Sequence, residues 1–139
     1  MSTQYRELFE SYVVAGLRHD ADAQAEMFTE DGVFEAPLVP PGGVLPRRLE
    51  GREAIRRGLA EYHRRATGTA FEVNVANSKY ELHTTGEPDV FVAEIDTALR
   101  FEGVERMMSL VHIYRLRDGR IALLRDYFGD AAALFPAAR

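Results

Sequence analysis

The stretch that decides the fold is ERMMSLVHIYRLRDGRIALLRDYF, Glu105 to Phe128, because it contains two long strands and the turn that joins them. Aliphatic and aromatic residues are frequent in both halves, which predicts strands over Glu105–Leu116 and Arg120–Phe128. The RDG between the halves is typical of a hairpin turn. Arg125 and Asp126 stand in the middle of the second strand, where neighbouring side chains point to opposite faces.

Two further strands precede this hairpin, and helices precede those strands. Phe71–His83 and Val90–Phe101 are predicted as strands, with turns at TTGEPD and at EG. Upstream of these strands, apolar residues recur at the spacing of an α-helix. This spacing predicts one helix over residues 3–18, a second from an N-cap at Asp20 through Phe28 that EDG ends, and a third over REAIRRGLAEYHRRA, residues 52–66.

The segment between the second and third helices is less regular. VFEAP, Val33–Pro37, is predicted as a short strand that the proline ends. LVPPGGVLPRRLEG, Leu38–Gly51, holds too many prolines and glycines for a regular element and is predicted as a loop. This loop is either a lid over the mouth of a cavity or simply a long surface loop.

Helices followed by an antiparallel meander indicate an α+β fold, with three helices packed on one face of a curved, cone-shaped antiparallel sheet. A length of 139 residues, without internal repeats or a linker, predicts a single domain over residues 1–139. Such a cone is either packed solid or holds an apolar ligand. The side chains that face inward therefore decide what the protein can bind.

Composition excludes several classes of function. The net charge is −5, and the arginines between Arg47 and Arg65 are interleaved with glutamates, so no nucleic-acid partner is expected. Thiolate catalysis is excluded because there are no cysteines, and the four histidines lack metal-ligand spacing, so no metal site is predicted. No stretch has the character of a signal peptide or a membrane span, so a cytoplasmic protein without membrane contact is expected.

Strand alternation separates inward from outward residues in one strand but not in another. In Val90–Phe101 the apolar register that should face inward is Phe91, Ala93, Ile95, Thr97 and Leu99. In the last strand, two mixed registers compete: Ala122, Leu124, Asp126 and Phe128 against Ile121, Leu123, Arg125 and Tyr127. Hydrophobicity alone does not decide between these two registers.

Three motifs in this order, MFTEDGVFEAP, LEGREAIRRGL and YRLRDGRIALLRDYF, resemble the SnoaL-like and ketosteroid isomerase-like group of the nuclear transport factor 2-like superfamily. The resemblance covers Tyr12 to Phe128 and implies the cone-shaped fold. It also implies that Asp126 and Phe128 line the pocket and that Arg125 points outward. In polyketide cyclases and phenazine-pathway proteins of this group, an acidic residue of the last strand serves as acid and base, which implies that role for Asp126.

The correspondence with ketosteroid isomerase is partial. Tyr12 matches the tyrosine that donates to the substrate oxyanion, and His112 falls where that enzyme has a protonated aspartic acid. The position of the catalytic base is occupied by Ala36, which cannot take a proton. Glu35 lies on the opposite face of the strand and is a poor substitute. The usual steroid isomerase mechanism is therefore not expected.

The candidate catalytic residues are Asp126, His112 and Tyr12, and each has a structural alternative. A carboxylate in an apolar cone suits proton transfer near neutral pH, but Asp126 could instead pair with an arginine on a neighbouring strand. His112 could act with Asp126 across adjacent strands or be a buried histidine bonded to a backbone carbonyl. Tyr12 could donate to a substrate oxygen or be an ordinary core tyrosine.

The candidate substrate-binding residues come from the third helix and from the inner face of the sheet. On the third helix, the phase of Ile55 and Leu59 favours Tyr62 over His63 as the residue that faces the sheet. The full set is Tyr62, Ile95, Thr97, Leu99, Leu110, Tyr114, Leu124 and Phe128.

These residues predict an enzyme that acts without a cofactor on a small apolar molecule such as a polyketide-, steroid- or terpenoid-like metabolite. Cyclisation or isomerisation by acid/base catalysis is the first expectation, and dehydration or epoxide opening needs the same equipment. The alternative is a non-catalytic binding or assembly module of the same fold, which Ala36 favours. The outer sheet face is too apolar to stay in water, which predicts a homodimer through Val111, Ile113, Leu123 and Tyr127.

Overall fold

The computed structural model describes residues 3–43, 45–67 and 71–129. Its helices are α1 (Thr3–Leu17), α2 (Ala21–Glu26) and α3 (Arg52–Ala66). Its strands are β1 (Phe28–Glu35), β2 (Arg48–Glu50), β3 (Glu72–Val73), β4 (Lys79–Thr84), β5 (Val90–Phe101), β6 (Val104–Arg117) and β7 (Arg120–Tyr127), and a 3₁₀ turn at Val75–Asn77 separates β3 from β4. Among these described helices, none has the length and apolarity needed to cross a membrane.

The seven strands form one curved, open sheet in the order β2-β1-β7-β6-β5, and β3 and β4 follow one another along the far edge of β5. Strands β4 to β7 pair as the predicted antiparallel meander. The sheet as a whole is mixed, since β1 runs parallel to β7. The α+β class with three helices and a curved sheet is thus confirmed, and the fully antiparallel sheet is corrected to a mixed one.

Two tight turns set the register of β5, β6 and β7. Glu102 and Gly103 have φ values of 50° and 79°, and Asp118 and Gly119 have values of 52° and 77°. Two consecutive positive φ values are the signature of the type I′ turn, whose twist matches that of the flanking strands. The turns predicted from EG and RDG are therefore confirmed.

Several predicted boundaries differ from the structure. Asp20 is the N-cap of α2, and its Oδ1 accepts a hydrogen bond from the Ala23 N–H at 3.0 Å, but the helix ends at Glu26. Phe28, expected at the end of that helix, begins β1 instead and is fully buried in the sheet core. The predicted loop contains the short strand β2, and the strand predicted from Phe71 to His83 is divided by the 3₁₀ turn.

A bulge in β7 explains why hydrophobicity could not choose the register of that strand. Consecutive residues of β6 pair with Leu123 and Ile121, so Ala122 is skipped and the side-chain alternation is shifted by one. Ile121 and Leu124 are therefore both fully buried, although they belong to opposite registers of a regular strand. Beyond the bulge, Asp126 shares the inner face with Leu124.

Two helices cover the inner face with apolar stripes at helical spacing. In α1, Phe9 and Tyr12 are buried, and the Phe9 ring contacts the Tyr114 ring of the sheet at 6.1 Å between centroids. In α3, Ile55 and Leu59 are buried at a spacing of one turn. Burial of this apolar surface is the main source of the stability of such a domain.

Candidate functional site

Three buried polar side chains form a line across β6 and β7. The Tyr114 hydroxyl lies 2.8 Å from His112 Nδ1, and His112 Nε2 lies 3.2 Å from Asp126 Oδ1. His112 and Asp126 face each other as direct partners of adjacent antiparallel strands. Tyr114 is fully buried, and the side chains of His112 and Asp126 are only 7% and 16% exposed. The partner of Asp126 is thus a histidine rather than the arginine of the structural alternative.

His112 Nε2 and Asp126 Oδ1 are close to each other, but their contact does not have the geometry of a hydrogen bond. Oδ1 of Asp126 is buried, and within the described residues it has no hydrogen-bond partner despite the nearby Nε2. A distance of 3.2 Å does not make a hydrogen bond here, because hydrogen-bond strength falls steeply when the donor is poorly aligned. Oδ1 therefore keeps a lone pair that can accept a hydrogen bond or a proton from a ligand.

Tyr114 determines which nitrogen of His112 carries the proton. Burial, and then the charges of Tyr12 and Asp126, raise the pKa of the Tyr114 hydroxyl well above its ordinary value, so this group stays protonated. When it donates to Nδ1 of a neutral imidazole, the ring proton must be on Nε2, which faces Asp126. The Tyr114 ring is held by Phe91, stacked at 4.6 Å with an interplanar angle of 4°.

Tyr12 extends this polar line from α1. It is 4% exposed, and its ring meets the His112 ring edge-on at 6.4 Å between centroids. Burial, and then the charge of Asp126, raise the pKa of Tyr12 well above its ordinary value. The same two causes raise the pKa of Tyr62 on α3. Asp126 is therefore surrounded by neutral hydroxyl groups that can donate hydrogen bonds.

An apolar cavity of about 780 Å³ opens between α3, the loop after β1 and the inner face of the sheet. Its volume is in the range of small-molecule sites. The apolar residues that line it are Leu38, Val39, Pro40, Leu45, Tyr62, Ala66, Phe71, Val73, Leu99, Met108 and Phe128. Thr97, Thr67, His19 and Arg65 add the polar side chains.

The predicted substrate-binding residues divide into three groups. Tyr62, Thr97, Leu99 and Phe128 line the cavity. Tyr114 and Leu124 are fully buried in the core and do not line the cavity. Ile95 and Leu110 border a separate depression of about 430 Å³ beside Tyr80.

Asp126 is not among the described residues that line the cavity, but two residues close to it are. Phe128 lies two positions further along the same strand and lines the cavity, and its ring is 6.2 Å from that of Tyr62. Tyr62 also lines the cavity, and its pKa responds to the charge of Asp126. The part of the cavity wall that is nearest to Asp126 is therefore aromatic.

Ala36, at the position of the usual base, and its neighbour Glu35 lie on opposite faces of the sheet, as the sequence indicates. Ala36 is fully buried. Glu35 accepts a hydrogen bond from Arg125 Nε at 2.9 Å and also pairs with Arg48. Arg125 in turn lies over the Tyr127 ring at 5.2 Å. Glu35 and Arg125 thus form an outer-face cluster that is separated from the cavity by the sheet.

Several wall residues were not predicted from the sequence. Val39 and Leu45 are buried, so parts of the proline-rich loop belong to the cavity wall rather than to the surface. Arg65 also lines the cavity, and a sequence signal for it existed, since it lies three residues after Tyr62 on the same helix. On α3, His63 continues the buried stripe and bonds Gln24 of α2 at 2.6 Å, while Tyr62 turns toward Phe128.

One group of side chains has the composition of a metal site. Glu81, His83 and Glu94 bring ligand atoms within 4.8 Å of one another on β4 and β5. All three are exposed, and both glutamates alternate with buried neighbours, which places the group on the outer sheet face. Exposed acidic groups of this kind are common without an ion, so we assign no metal to them.

The family model of the SnoaL-like domain matches residues 5–124, and the chain belongs to this family. The uncharacterised PhzA/B-like protein PA3332 of Pseudomonas aeruginosa is 29% identical over 111 residues, which cover 78% of this chain and 72% of that protein. The uncharacterised protein YesE of Bacillus subtilis is 26% identical over 124 residues, which cover 88% of this chain and 79% of YesE.

Solved structures agree on the fold. A candidate isomerase from Bacillus subtilis superposes with a TM-score of 0.73 at 22% identity, over 99% of this chain and 95% of that one. A candidate polyketide cyclase from Xanthomonas campestris gives 0.62 at 18% identity, over 90% of each chain. An LEH-like epoxide hydrolase from Mycobacterium tuberculosis gives 0.59 at 20% identity, over 99% and 90%. At these identities the likeness establishes the shared architecture.

Proposed function

We propose that the protein is an acid/base enzyme for a small, mainly apolar metabolite of the polyketide, steroid or terpenoid type, with cyclisation or isomerisation as its reaction. The observation that carries this proposal is the line Tyr114–His112–Asp126, buried next to an apolar cavity of about 780 Å³. A carboxylate oxygen that is held from water and left without a hydrogen bond is poised to receive a proton. Dehydration and epoxide opening are variants that the same groups can perform.

In the proposed reaction, Asp126 takes a proton from a carbon beside a carbonyl group of the substrate. The electron pair of that C–H bond moves onto the carbonyl oxygen, and the neutral Tyr12 hydroxyl donates a hydrogen bond to the developing enolate. His112, with its proton on Nε2, stays beside the carboxylate and stabilises it while it is charged. For isomerisation, Asp126 then returns its proton to another carbon. For cyclisation, the enolate attacks a second carbonyl group, whose π electrons move onto its oxygen, and Asp126 gives its proton to the alkoxide so formed.

The comparisons support a reaction of this kind without specifying it. Proteins of the same fold have been described as a candidate isomerase, a candidate polyketide cyclase and an epoxide hydrolase. All three reactions can proceed by acid/base chemistry in a pocket without a cofactor. The fold by itself does not fix the reaction, so the proposal rests on the side chains of this chain.

Replacement of Asp126 by Asn tests the proposal, because it keeps the shape of the side chain and removes its basicity. Substrates would first be found by a thermal-shift screen of polyketide, steroid and terpenoid compounds. We expect Asp126→Asn to abolish turnover of the hits while circular dichroism and the melting temperature show an intact fold. Retained turnover would contradict the assignment. Glu35→Gln, on the outer sheet face, is the matched carboxylate control and should remain active.

A non-catalytic ligand carrier is the second candidate. The buried Ala36 at the usual base position favours it, and so does the absence of Asp126 from the described wall of the cavity. This candidate predicts that the screen yields compounds that bind but are recovered unchanged, and that Asp126→Asn leaves their affinity unaltered. Product formation by the wild type, lost in Asp126→Asn, would exclude it.

We also propose that the protein is a homodimer through its outer sheet face. Four apolar side chains of the two central strands remain partly exposed on this face. They are Val111 and Ile113 of β6 and Leu123 and Tyr127 of β7. Arg125 lies within this surface opposite Ile113, and its hydrogen bond with Glu35 would place a paired polar group in the interface.

A further inference from the structure

The polar part of the cavity wall is basic rather than acidic. In the described part of the wall, Arg65 and His19 are the basic side chains, and no aspartate or glutamate is present. The remaining wall is largely apolar, and the chain as a whole has a net charge of −5. A basic rim on an acidic protein is therefore a local feature, and such a rim attracts a negative group on an otherwise apolar ligand.

Arg65 and the inner end of the cavity lie on the same wall. Arg65 follows Tyr62 by one turn of α3, and both line the cavity. Tyr62 marks the end near Asp126, since that carboxylate contributes to its raised pKa. The Arg65 side chain is 59% exposed and marks the end near solvent. The cavity thus has a proton acceptor close to its inner end and a guanidinium group at its mouth.

The arginine keeps positive charge in spite of its glutamate partner. Arg65 Nε lies 3.1 Å from Glu61 Oε1, and the same carboxylate also binds Arg64. One carboxylate therefore faces two guanidinium groups, and the cluster retains a net positive charge. A guanidinium group can bind a second carboxylate through its terminal N–H groups while Nε is engaged.

The geometry points to an organic acid as the ligand: its anionic group binds Arg65 at the mouth, and its apolar body reaches inward to Phe128 beside Asp126. This inference rests on the proposed function and deepens it by assigning the charge and orientation of the substrate. The end of the ligand that reacts is then the end remote from its anionic group.

Two fluorescent probes that differ by one group test this assignment. 8-Anilinonaphthalene-1-sulfonate carries a sulfonate, and N-phenyl-1-naphthylamine is the same ring system without it. Both would be titrated against the wild type, Arg65→Gln and the control Arg64→Gln, which removes the other partner of Glu61 outside this cavity. Thr97→Trp, which narrows the cavity, shows whether the probes bind inside it.

We expect Arg65→Gln to weaken the sulfonate probe about fivefold, the effect of one partly exposed ion pair, and to leave the uncharged probe within about twofold. Arg64→Gln should leave the uncharged probe unchanged and weaken the sulfonate probe by less than Arg65→Gln does, because it lowers the charge of the cluster but removes no group from the cavity wall. Glu61→Gln should tighten the sulfonate probe, because it removes the competing carboxylate. An equal loss in Arg64→Gln and Arg65→Gln, or an unchanged ratio of the two affinities in Arg65→Gln, would overturn the inference.

The outcome is separable from that of the proposed function, because the probes do not react. If Arg65→Gln has no selective effect while Asp126→Asn still abolishes turnover, the anion site is wrong and the enzyme proposal stands. If Arg65→Gln weakens only the sulfonate probe and Asp126→Asn remains active, the anion site stands and the catalytic assignment is wrong. If Thr97→Trp weakens the binding of neither probe, the cavity is not a ligand site, and both the anion site and the enzyme proposal are wrong.

Discussion

Replacement of Tyr114 by Phe isolates the hydrogen bond that orients His112. The substitution removes one hydroxyl group and keeps the ring that stacks on Phe91 at 4.6 Å, so apolar packing is preserved. It leaves Nδ1 of His112 without its partner at 2.8 Å, in a side chain that is only 7% exposed. A buried polar group that loses its partner costs about 1–3 kcal/mol of unfolding free energy.

The expected change in melting temperature follows from the size of the chain. A domain of 139 residues unfolds with an entropy of about 0.3 kcal/mol per kelvin, so the loss corresponds to a decrease of about 3–10 °C. Tyr80→Phe is the matched control. Its hydroxyl bonds Arg6 at 2.9 Å and also Glu10, but both hydrogen bonds are exposed. Its loss should cost less than about 0.5 kcal/mol.

Two measurements attribute the effect to His112. In a double-mutant cycle, Tyr114→Phe should cost about 1 kcal/mol less when His112 is already Ala, because the partner is then absent. Long-range ¹H–¹⁵N spectra of the wild type should show the His112 proton on Nε2. Equal costs in both backgrounds, or a proton on Nδ1 of a neutral His112, would refute the orienting role of Tyr114.

Two further perturbations test the folded state and its assembly. Burial and then the neighbouring His19 lower the pKa of His63, and Asp20 opposes this shift. His63 therefore binds a proton more readily in the unfolded chain than in the folded one. The free energy of unfolding should consequently fall as the pH falls through about 6.5. In thermal melts between pH 7.5 and 5, His63→Gln should reduce the loss of stability on acidification. An unchanged slope would show that His63 is not its source. Ile113→Glu should convert the proposed dimer into a folded monomer by sedimentation at micromolar concentration, and a monomeric wild type would exclude the dimer.

Features that depend on a few neighbouring residues were predictable. The positive φ values at Glu102–Gly103 and Asp118–Gly119 need only the turn sequence, and the N-cap at Asp20 needs only its side chain and the next turn of helix. With the hairpin in place, the pairing of His112 with Asp126 follows by counting along two strands. The family resemblance supplied the inward direction of Asp126, which the pattern of hydrophobicity had left open.

Features that depend on distant parts of the chain were not predictable in the same way. Phe28 was assigned to a helix because its local period is helical, but its place is in the core beside Ile121, almost a hundred positions further along the chain. The prolines and glycines of the loop after β1 left a lid and a surface loop as alternatives, and Val39 and Leu45 are buried in the cavity wall. Tertiary burial outweighs local preference at such positions because it contributes more free energy per residue than propensity does.

By itself, the sequence determined the α+β class, the two central turns and the family, and the family resemblance directed Asp126 to the inner face. Only the tertiary structure decided that β7 carries a bulge, that Tyr114 bonds His112, and that Arg65 stands at the mouth of a cavity whose inner end approaches Asp126. The physical reason is that turns and caps are local hydrogen-bonding problems. A cavity and the charges around it exist only where helices, strands and a loop from separate parts of the chain have packed together.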